Sequence, residues 1–161
     1  MTNQLIGHLP KNAGRFLPNL EQLYMAANNF DGTLWASLSN ATRLQVVTAE
    51  SNKFSGLMPL ELGSLSQLRR LYLGRSMLTN PQALHSHIPH KVSDARDLSH
   101  NFLNGILPAS IGNLKTTLST LDLSSNQIEG TIPLNLANLT KLIALCLSSN
   151  KIKGLIPPNI G

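Results

Sequence analysis

The segment from Leu118 to Pro133 reads Leu-Ser-Thr-Leu-Asp-Leu-Ser-Ser-Asn-Gln-Ile-Glu-Gly-Thr-Ile-Pro. The same pattern of Leu, Asn, Gly and Pro returns between Leu142 and Pro157, almost position for position. A pattern that recurs at a fixed distance is typical of a solenoid, in which each repeat forms one coil that stacks on its neighbours. We therefore interpret the rest of the chain as better or worse copies of this unit.

The asparagine of the unit defines a period of 24 or 25 residues that runs through the chain. The equivalent positions, which we call anchors, are Asn3, Asn28, Asn52, Ser76, Asn101, Asn126 and Asn150. An apolar residue follows each anchor by two positions, a glycine follows most anchors by four, and a proline follows most by seven. The exceptions are Asn80 in the glycine column and Trp35 and Ala83 in the proline column.

Each column of the repeat has a physical reason. Apolar residues two apart, such as Leu121 and Leu123, point to one side of a strand and predict parallel strands stacked in one sheet. The anchor amide can pair with backbone groups of its own coil and the next, which would otherwise be buried and unpaired. The glycine allows a backbone conformation that a Cβ resists, and the proline fixes φ on the outer side of the coil. The predicted structural ladder of asparagines is Asn28, Asn52, Asn101, Asn126 and Asn150.

This pattern resembles the plant-type leucine-rich repeat, Leu-x-x-Leu-x-x-Leu-x-Leu-x-x-Asn-x-Leu-x-Gly-x-Ile-Pro-x-x-Leu-Gly, and residues 139–161 follow it closely. Shorter phrases, such as Leu17-Pro18-Asn19-Leu20, resemble the ectodomains of plant leucine-rich repeat receptor-like serine/threonine kinases of the immune-receptor type. The resemblance covers essentially all 161 residues. It implies an α/β solenoid: a right-handed leucine-rich repeat superhelix with a parallel sheet on its concave side and loops or 3₁₀ turns on its convex side.

We expect a single leucine-rich repeat domain over residues 1–161, with a partial repeat at 1–16 and no caps. The complete repeats are expected at about 17–40, 41–64, 65–88, 89–113, 114–138 and 139–161. Because the sequence starts and stops inside a coil, we expect a fragment whose two ends expose apolar edges.

Composition and charge argue against several other classes of protein. Charged residues make up 13% of the chain and aromatic residues 4%, as fits a solenoid built on leucine. The net charge is +5, but the 13 basic residues are scattered apart from Arg69, Arg70 and Arg75, so we predict no nucleic-acid partner. The lone Cys146 forms no intrachain disulfide and does not reveal the redox compartment.

Signals for other cellular roles are missing from these 161 residues. No run approaches the roughly 18 apolar residues of a transmembrane helix, and the first ten residues do not read as a signal peptide. No kinase signature occurs, so we predict that this chain is not an enzyme and that any kinase domain of a parent protein lies elsewhere.

The repeat decays between Asn80 and Arg96. Arg96 occupies a column that holds a buried apolar residue in every other repeat, and a lone buried charge is costly. We therefore predict either local disorder in this stretch or an Arg96 side chain that swings outward from a distorted strand. Trp35 replaces a proline on the outer side of its coil, and we expect it to pack between coils.

Two groups of polar residues raise the question of metal binding or catalysis. His85, His87 and His90 could hold a metal by their spacing, but no cysteine or carboxylate accompanies them before Asp94. Ser, His and Asp residues also converge near the middle of the predicted sheet, but an open sheet offers neither an oriented base nor an oxyanion hole. We predict no metal, no cofactor and no catalytic residue.

The concave face of the sheet is the better candidate for a functional surface. Residues that flank the buried positions of each strand point away from the core, and strands about 4.8 Å apart form a surface roughly 24 Å long. We call this surface the concave ledge, and its predicted ligand-binding residues are Tyr24, Glu50, Arg70, Tyr72, Arg75, Asp97, His100 and Asp122. The set combines tyrosines with both signs of charge, and tyrosine and arginine are typical of interface hot spots.

Two sequons, Asn40-Ala41-Thr42 and Asn138-Leu139-Thr140, predict N-glycosylation of Asn40 and Asn138 on the outer turn if the protein is secreted. Glycans there would leave the concave ledge free.

The resemblance implies a ligand- or protein-recognition module, a fragment of the extracellular domain of a plant receptor-like kinase that acts in signalling or defence. Its expected partners are a peptide or protein ligand and a co-receptor, and its expected place is the extracellular side of the plasma membrane, reached through the parent protein. Two alternatives stay open: a soluble secreted leucine-rich repeat inhibitor of cell-wall-degrading enzymes, and a decayed receptor fragment without a function of its own.

Overall fold

The structure is a computed structural model that describes residues 3–10, 12–34, 38, 40–58, 60–80, 92–114 and 117–160. Its strands are two to four residues long. They are β1 (Ile6–His8), β2 (Gln22–Tyr24), β3 (Asn29–Asp31), β4 (Val46–Thr48), β5 (Ser55–Leu57), β6 (Arg70–Tyr72), β7 (Met77–Thr79), β8 (Ala95–Asp97), β9 (Asn104–Ile106), β10 (Thr120–Asp122), β11 (Gln127–Gly130), β12 (Ala144–Cys146) and β13 (Lys151–Ile152). A short helix α1 spans Ala13–Phe16, and 3₁₀ helices span Leu60–Ser64, Ala109–Asn113 and Leu134–Asn138.

The main sheet contains one strand from each coil, in the order β12-β10-β8-β6-β4-β2, and every pair of neighbours is parallel. The register follows the repeat, since Leu121 lies opposite Arg96 on one side and Leu145 on the other. This arrangement confirms the predicted leucine-rich repeat fold with a parallel sheet.

A second group of strands follows the anchors, where the chain leaves the main sheet. Parallel pairing joins β1 to β3, β5 to β7, β9 to β11, and β11 to β13. The bridges Thr33–Ser55 and Thr79–Phe102 link these groups across coils. The three 3₁₀ helices of the described residues follow on the outer parts of their coils, as predicted.

The core lies beneath the main sheet, because the middle residue of each strand and the residue two further along point inward. Leu71, Leu73, Leu121 and Leu123 are at most 1% exposed. Burying one such leucine contributes roughly 1.5–3 kcal/mol. Leu145 and Leu147 are only half-buried, since they belong to the last coil. Large apolar side chains are exposed at both ends of the stack, among them Ile6, Phe16, Ile143, Leu155 and Ile156.

The anchor asparagines bind backbone groups at the end of each strand. The Asn126 amide nitrogen lies 3.1 Å from the Leu123 carbonyl of its own coil and 3.0 Å from the Leu98 carbonyl of the preceding coil. Its Oδ1 accepts from the Leu103 amide at 3.0 Å, also in the preceding coil. The cross-coil bonds therefore run to the preceding coil, not to the next as the sequence analysis expected. Equivalent bonds are made by Asn52, Asn101 and Asn150, and Asn28 makes them without the bond to a preceding carbonyl.

The glycine column has the conformation for which glycine was expected. Six glycines four residues after the anchors have positive φ, between 73° and 89°. At Gly130 a Cβ would also lie 2.9 Å from Cγ2 of Ile106 in the preceding coil. The chain therefore turns out of the sheet at a place where a side chain would be both strained and crowded.

The prediction that the Arg96 side chain swings outward from a distorted strand was wrong. That side chain is fully buried, and its strand β8 pairs regularly with β6 and β10. Since both edges of β8 are hydrogen-bonded, the backbone keeps the guanidinium pointing into the core. Nη2 donates to the Val92 carbonyl at 2.8 Å, whereas Nε and Nη1 have no partner among the described residues. Burial lowers the pKa of Arg96 to about 9.

The remaining predictions for the decayed stretch fall on residues 81–91, which lie outside the described residues. The histidine group His85, His87 and His90 belongs there, and so does the conformation expected for this segment. Trp35 and its predicted packing also lie outside the described part of the chain.

Candidate functional site

The main sheet brings the predicted ligand-binding residues onto one concave face. Tyr24 lies on β2, Arg70 and Tyr72 lie on β6, and two aspartates lie on β8 and β10. Tyr72 is in register with Asp97, and Asp97 is in register with Asp122. The three side chains therefore form a row across adjacent strands, each about 4.8 Å from the next.

Exposure differs along the concave ledge. Tyr24 is 66% exposed, and its hydroxyl donates to Oε1 of Gln22, two residues earlier on the same strand, at 2.9 Å. Both Arg70 and the rim residues Arg75 and His100 are exposed. The remaining four predicted residues, Glu50, Tyr72, Asp97 and Asp122, are half-buried. The ledge thus has exposed basic side chains at its surface and carboxylates set deeper between the coils.

Arg75 and His100 occupy a position with unusual backbone geometry. Each lies immediately before an anchor and has positive φ, 53° and 50° respectively. The same position in the other coils is held by Ala27, Ser51, Ser125 and Ser149, also with positive φ. Residues other than glycine rarely adopt this conformation. The bend places Arg75 and His100 beyond the strand ends, at the rim of the ledge, and no glycine or asparagine in the column signalled it in the sequence.

The two aspartates of the row are held by their own backbone. Oδ1 of Asp97 accepts from the Ser99 amide at 2.9 Å, and Oδ1 of Asp122 accepts from the Ser124 amide at 2.9 Å. Such bonds to the amide two residues on fix the orientation of an aspartate side chain. Each carboxylate therefore keeps its second oxygen available for another partner.

The charges of the concave ledge are not neutralised by one another. Within the described ranges, the ion pairs are His8–Asp31, Arg43–Glu21 and Arg69–Asp94. None of these pairs involves a predicted ligand-binding residue of the ledge. In the part of the chain that the structure describes, the ledge therefore presents both signs of charge without an ion-pair partner for either.

Glu50, Gly74 and Asp97 form the most unusual part of the ledge. A Cβ on Gly74 would lie 2.8 Å from Oδ1 of Asp97 and 3.0 Å from its Oδ2, so the Asp97 carboxylate covers this glycine. In the preceding coil Glu50 occupies the position equivalent to Gly74, and its Oε2 is shielded from solvent with no hydrogen-bond partner among the described residues. Burial raises the pKa of Glu50, and the charge of Asp97 raises it further, against a lowering by the Glu50 backbone.

The position of the Asp97 carboxylate over Gly74 is a feature that the sequence analysis missed. Gly74 lies in the coil between Glu50 and Asp97, and it has no side chain to fill the space that the Asp97 carboxylate occupies. The signal in the sequence was a single glycine in a column that elsewhere holds Ala, Glu and Ser.

Other candidate chemistry is located away from the ledge. The sequon residues Asn40 and Asn138 are exposed, and Asn138 ends the outer 3₁₀ helix Leu134–Asn138. Among the residues that the structure describes, no three His, Cys, Asp or Glu side chains lie close enough together to hold a metal ion. In that part of the chain no helix has the length and apolar character needed to cross a bilayer.

Comparison with known proteins places this geometry in context. The Leucine Rich Repeat family model matches residues 97–114, 117–139 and 141–161. Receptor-like protein 39 of Arabidopsis thaliana is 33% identical over 168 residues, which cover 88% of this chain and 19% of that protein. The Arabidopsis thaliana LRR receptor-like serine/threonine-protein kinase EFR is 54% identical over 46 residues, 29% of this chain and 4% of that protein. The chain thus spans about a fifth, or less, of the curated relatives it matches.

Solved structures show the same coil stack. The plant peptide hormone receptor RGFR1, in complex with RGF2, has a TM-score of 0.87 and 34% identity, over 98% of this chain and 25% of that chain. The Arabidopsis receptor kinase HAESA, in complex with the peptide hormone IDA and the co-receptor SERK1, has a TM-score of 0.84 and 36% identity. That match covers 97% of this chain and 26% of the HAESA chain.

Proposed function

Because the chain is a leucine-rich repeat protein homologous to plant receptor-like proteins and leucine-rich repeat receptor kinases, we propose that it recognises a peptide or protein ligand through the concave ledge. It would do so as one part of the extracellular domain of a plant receptor with a role in signalling or defence. The observation that carries the proposal is the set of charged and tyrosine side chains on one face of the main sheet, none of which forms an ion pair among the described residues.

The inward and outward residues of the main sheet have different roles. In each strand of the main sheet the inward residues pack the core, so the outward residues are free of a structural role. Tyr72, Asp97 and Asp122 occupy outward positions in successive strands. A row of such side chains at a spacing of about 4.8 Å suits an extended peptide laid across the strands. Tyrosine and arginine also supply much of the binding energy at interfaces.

The similar structures support a peptide as ligand and a second protein as co-receptor, since RGFR1 was solved with RGF2 and HAESA with IDA and SERK1. A place outside the plasma membrane follows if the chain is part of such a receptor. The relatives support a receptor over a soluble inhibitor of cell-wall-degrading enzymes, because their names are those of receptor-like proteins and kinases. In an extracellular setting Asn40 and Asn138 would carry glycans, away from the concave ledge.

The proposal is tested by selecting peptides from a random twelve-residue display library on the folded 161-residue chain. The binding place of the selected peptides is then mapped through changes in backbone amide chemical shifts. We expect the changes to concentrate on the outward residues of β2, β4, β6, β8 and β10. Changes confined to the 3₁₀ helices and outer loops, or a failure to select any peptide, would contradict recognition through the ledge.

A further inference from the structure

We propose that Arg96 binds a small monovalent anion, chloride, in the core beneath β8. This site is separate from the concave ledge and goes beyond the proposed function, because Arg96 points inward from the main sheet and is fully buried. Three observations carry the inference. The guanidinium has unused donors in the core, its strand is held on both edges, and the chain has no side-chain carboxylate left to neutralise it.

The unused donors are two nitrogen atoms of this one buried side chain. Nη2 of Arg96 donates to the Val92 carbonyl at 2.8 Å. Nε and Nη1 are also shielded from solvent, and neither has a hydrogen-bond partner among the described residues. A buried donor without an acceptor is unfavourable, and it is more so when the group is charged. The guanidinium therefore offers two N–H donors to an acceptor that comes from outside the chain.

The backbone of β8 keeps the guanidinium in the core. The strand is paired with β6 and with β10, and Arg96 lies in register between Leu71 and Leu121, which are both fully buried. An outward swing of the side chain would therefore require β8 to lose its pairing on both edges. Burial lowers the pKa of Arg96 only to about 9, so the side chain still carries its charge at neutral pH.

No side-chain carboxylate of the chain is left to pair with this charge. The sequence contains eight Asp and Glu residues, and all of them lie in the described ranges. Glu21, Asp31 and Asp94 form ion pairs with basic residues other than Arg96. The other five lie on the concave ledge or at exposed positions, and they are Glu50, Glu61, Asp97, Asp122 and Glu129. We infer that the counter-charge of Arg96 is an ion from solution.

The surroundings of the guanidinium select the kind of anion. Val92 and Leu98, which flank Arg96 in its own coil, are fully buried, as are the leucines opposite it in the neighbouring strands. Protein interiors are closely packed, and a buried charge is costly unless it is paired, so a bulky or divalent anion does not suit this place. One positive charge requires one negative charge. A halide also accepts N–H donors from any direction, so it does not require a fixed arrangement of Nε and Nη1.

The ion is detected through its effect on stability. The unfolding equilibrium constant of the 161-residue chain is measured with urea at neutral pH while sodium chloride rises from about 20 to about 200 mM. Sodium gluconate, whose anion is too large for a packed core, holds the ionic strength constant. An ion that binds only the folded chain stabilises it however slowly it enters. We expect the constant to fall about two- to tenfold, since tenfold is the limit for one bound ion. An unchanged constant would overturn the inference.

The location of the ion is tested with variants. Arg96→Leu introduces the usual residue type of the column, and Arg96→Met keeps a long unbranched side chain without charge. The matched control Arg70→Leu removes an exposed arginine from the neighbouring strand β6. We expect the response to chloride to disappear in both Arg96 variants and to persist in the control. The same response in every protein would indicate a general salt effect and overturn the inference. Its loss in the control would also overturn it, because that indicates a diffuse field of surface charge.

Bromide, a heavier halide, tests the position directly. Crystals of the chain grown in sodium bromide are expected to show an anomalous scattering peak in contact with Nε or Nη1 of Arg96. Peaks confined to exposed side chains would mean an adventitious ion only and would contradict the inference. None of these measurements involves a ligand of the concave ledge, so their outcome is independent of the proposed function.

Discussion

The coil around Leu121 and the coil around Arg96 are neighbours in the same sheet, but only the first obeys its repeat. Leu121 is fully buried, and the anchor Asn126 that follows it is bonded to both coils. Arg96 is just as buried, but two of its nitrogens have no partner. In the coil before it, the anchor is Ser76, whose hydroxyl is buried without a partner.

The difference shows that the strand register is kept even where one column of the repeat holds the wrong residue type. The mismatch instead lowers the free energy of unfolding. The strand β8 pairs on both sides in the same register as β10. The two irregular coils also hold five of the eight predicted ligand-binding residues: Arg70, Tyr72, Arg75, Asp97 and His100. Local violations of packing rules are common near functional sites. The predictions below either deepen or repair the difference between these coils.

The largest effect is expected from damage to the regular coil. Leu121→Ala removes a fully buried side chain between two packed coils and is expected to cost about 2–5 kcal/mol of unfolding free energy. Leu145→Ala, at a half-buried equivalent position, should cost clearly less. Urea unfolding followed by circular dichroism measures both. Equal losses at the two positions would contradict core packing by successive coils.

Repair of the irregular coil should stabilise the protein. Arg96→Leu restores the column and removes a charge that lacks partners, and we expect a gain of roughly 1–4 kcal/mol. Arg70→Leu, the same exchange on the exposed side of the neighbouring strand, is the control and should give no such gain. A loss of stability in Arg96→Leu would show that the guanidinium has a favourable role in the core.

The same replacement should change the pH dependence of stability. Burial lowers the pKa of Arg96 to about 9 in the folded protein, well below its ordinary value, so above pH 9 the unfolded chain binds more protons than the folded one. The wild type should therefore gain unfolding free energy relative to Arg96→Leu as pH rises through 9. A constant difference between the two proteins from pH 8 to 10.5 would contradict this account of Arg96.

Substitutions at the anchors can either damage the regular coil or repair the irregular one. Asn126→Ala leaves buried backbone groups without partners and should cost about 1–3 kcal/mol. Ser76→Asn supplies the missing amide and should gain about 0.5–1.5 kcal/mol, because Asn52 accepts from the Phe30 amide and an asparagine at 76 would be placed to accept from Phe54. Urea unfolding tests the pair. An unchanged unfolding free energy in Ser76→Asn would show that this coil is already well packed around the serine.

The smallest expected effect concerns Glu50. Burial raises the pKa of Glu50 above its usual value of 4.5. Between pH 4.5 and the raised pKa, the folded protein therefore binds more protons than the unfolded chain. Unfolding free energy should therefore fall as pH rises from below 4.5 through the raised pKa, and this fall should be reduced in Glu50→Gln. The exposed Glu61→Gln should keep the wild-type profile. Identical profiles for all three proteins would contradict the described environment of Glu50.

Much of the fold could be predicted from the sequence, because it depends on columns that repeat. Leu121, Gly130 and Asn126 each represent a column whose physical reason applies in every coil, so agreement among coils identifies strands, turns and ladder. The position of the Arg96 side chain could not be predicted. It depends on whether the free energy gained by pairing β8 with both neighbouring strands exceeds the cost of burying one charge.

The site was less predictable than the fold. Alternation along the strands was sufficient to assign Tyr72, Asp97 and Asp122 to one face. The positive φ of Arg75 and His100 had no signal in residue type, and the position of the Asp97 carboxylate over Gly74 depends on side-chain orientation.

The central claim is that the inward columns stabilise the chain while the outward residues of the ledge recognise a ligand. Its most direct test is the affinity of the variant Arg70→Ala/Tyr72→Ala for a peptide selected on the wild-type chain, measured by isothermal titration calorimetry. We predict at least roughly a tenfold loss of affinity, because these residue types dominate interface energies. An unchanged affinity would contradict the claim.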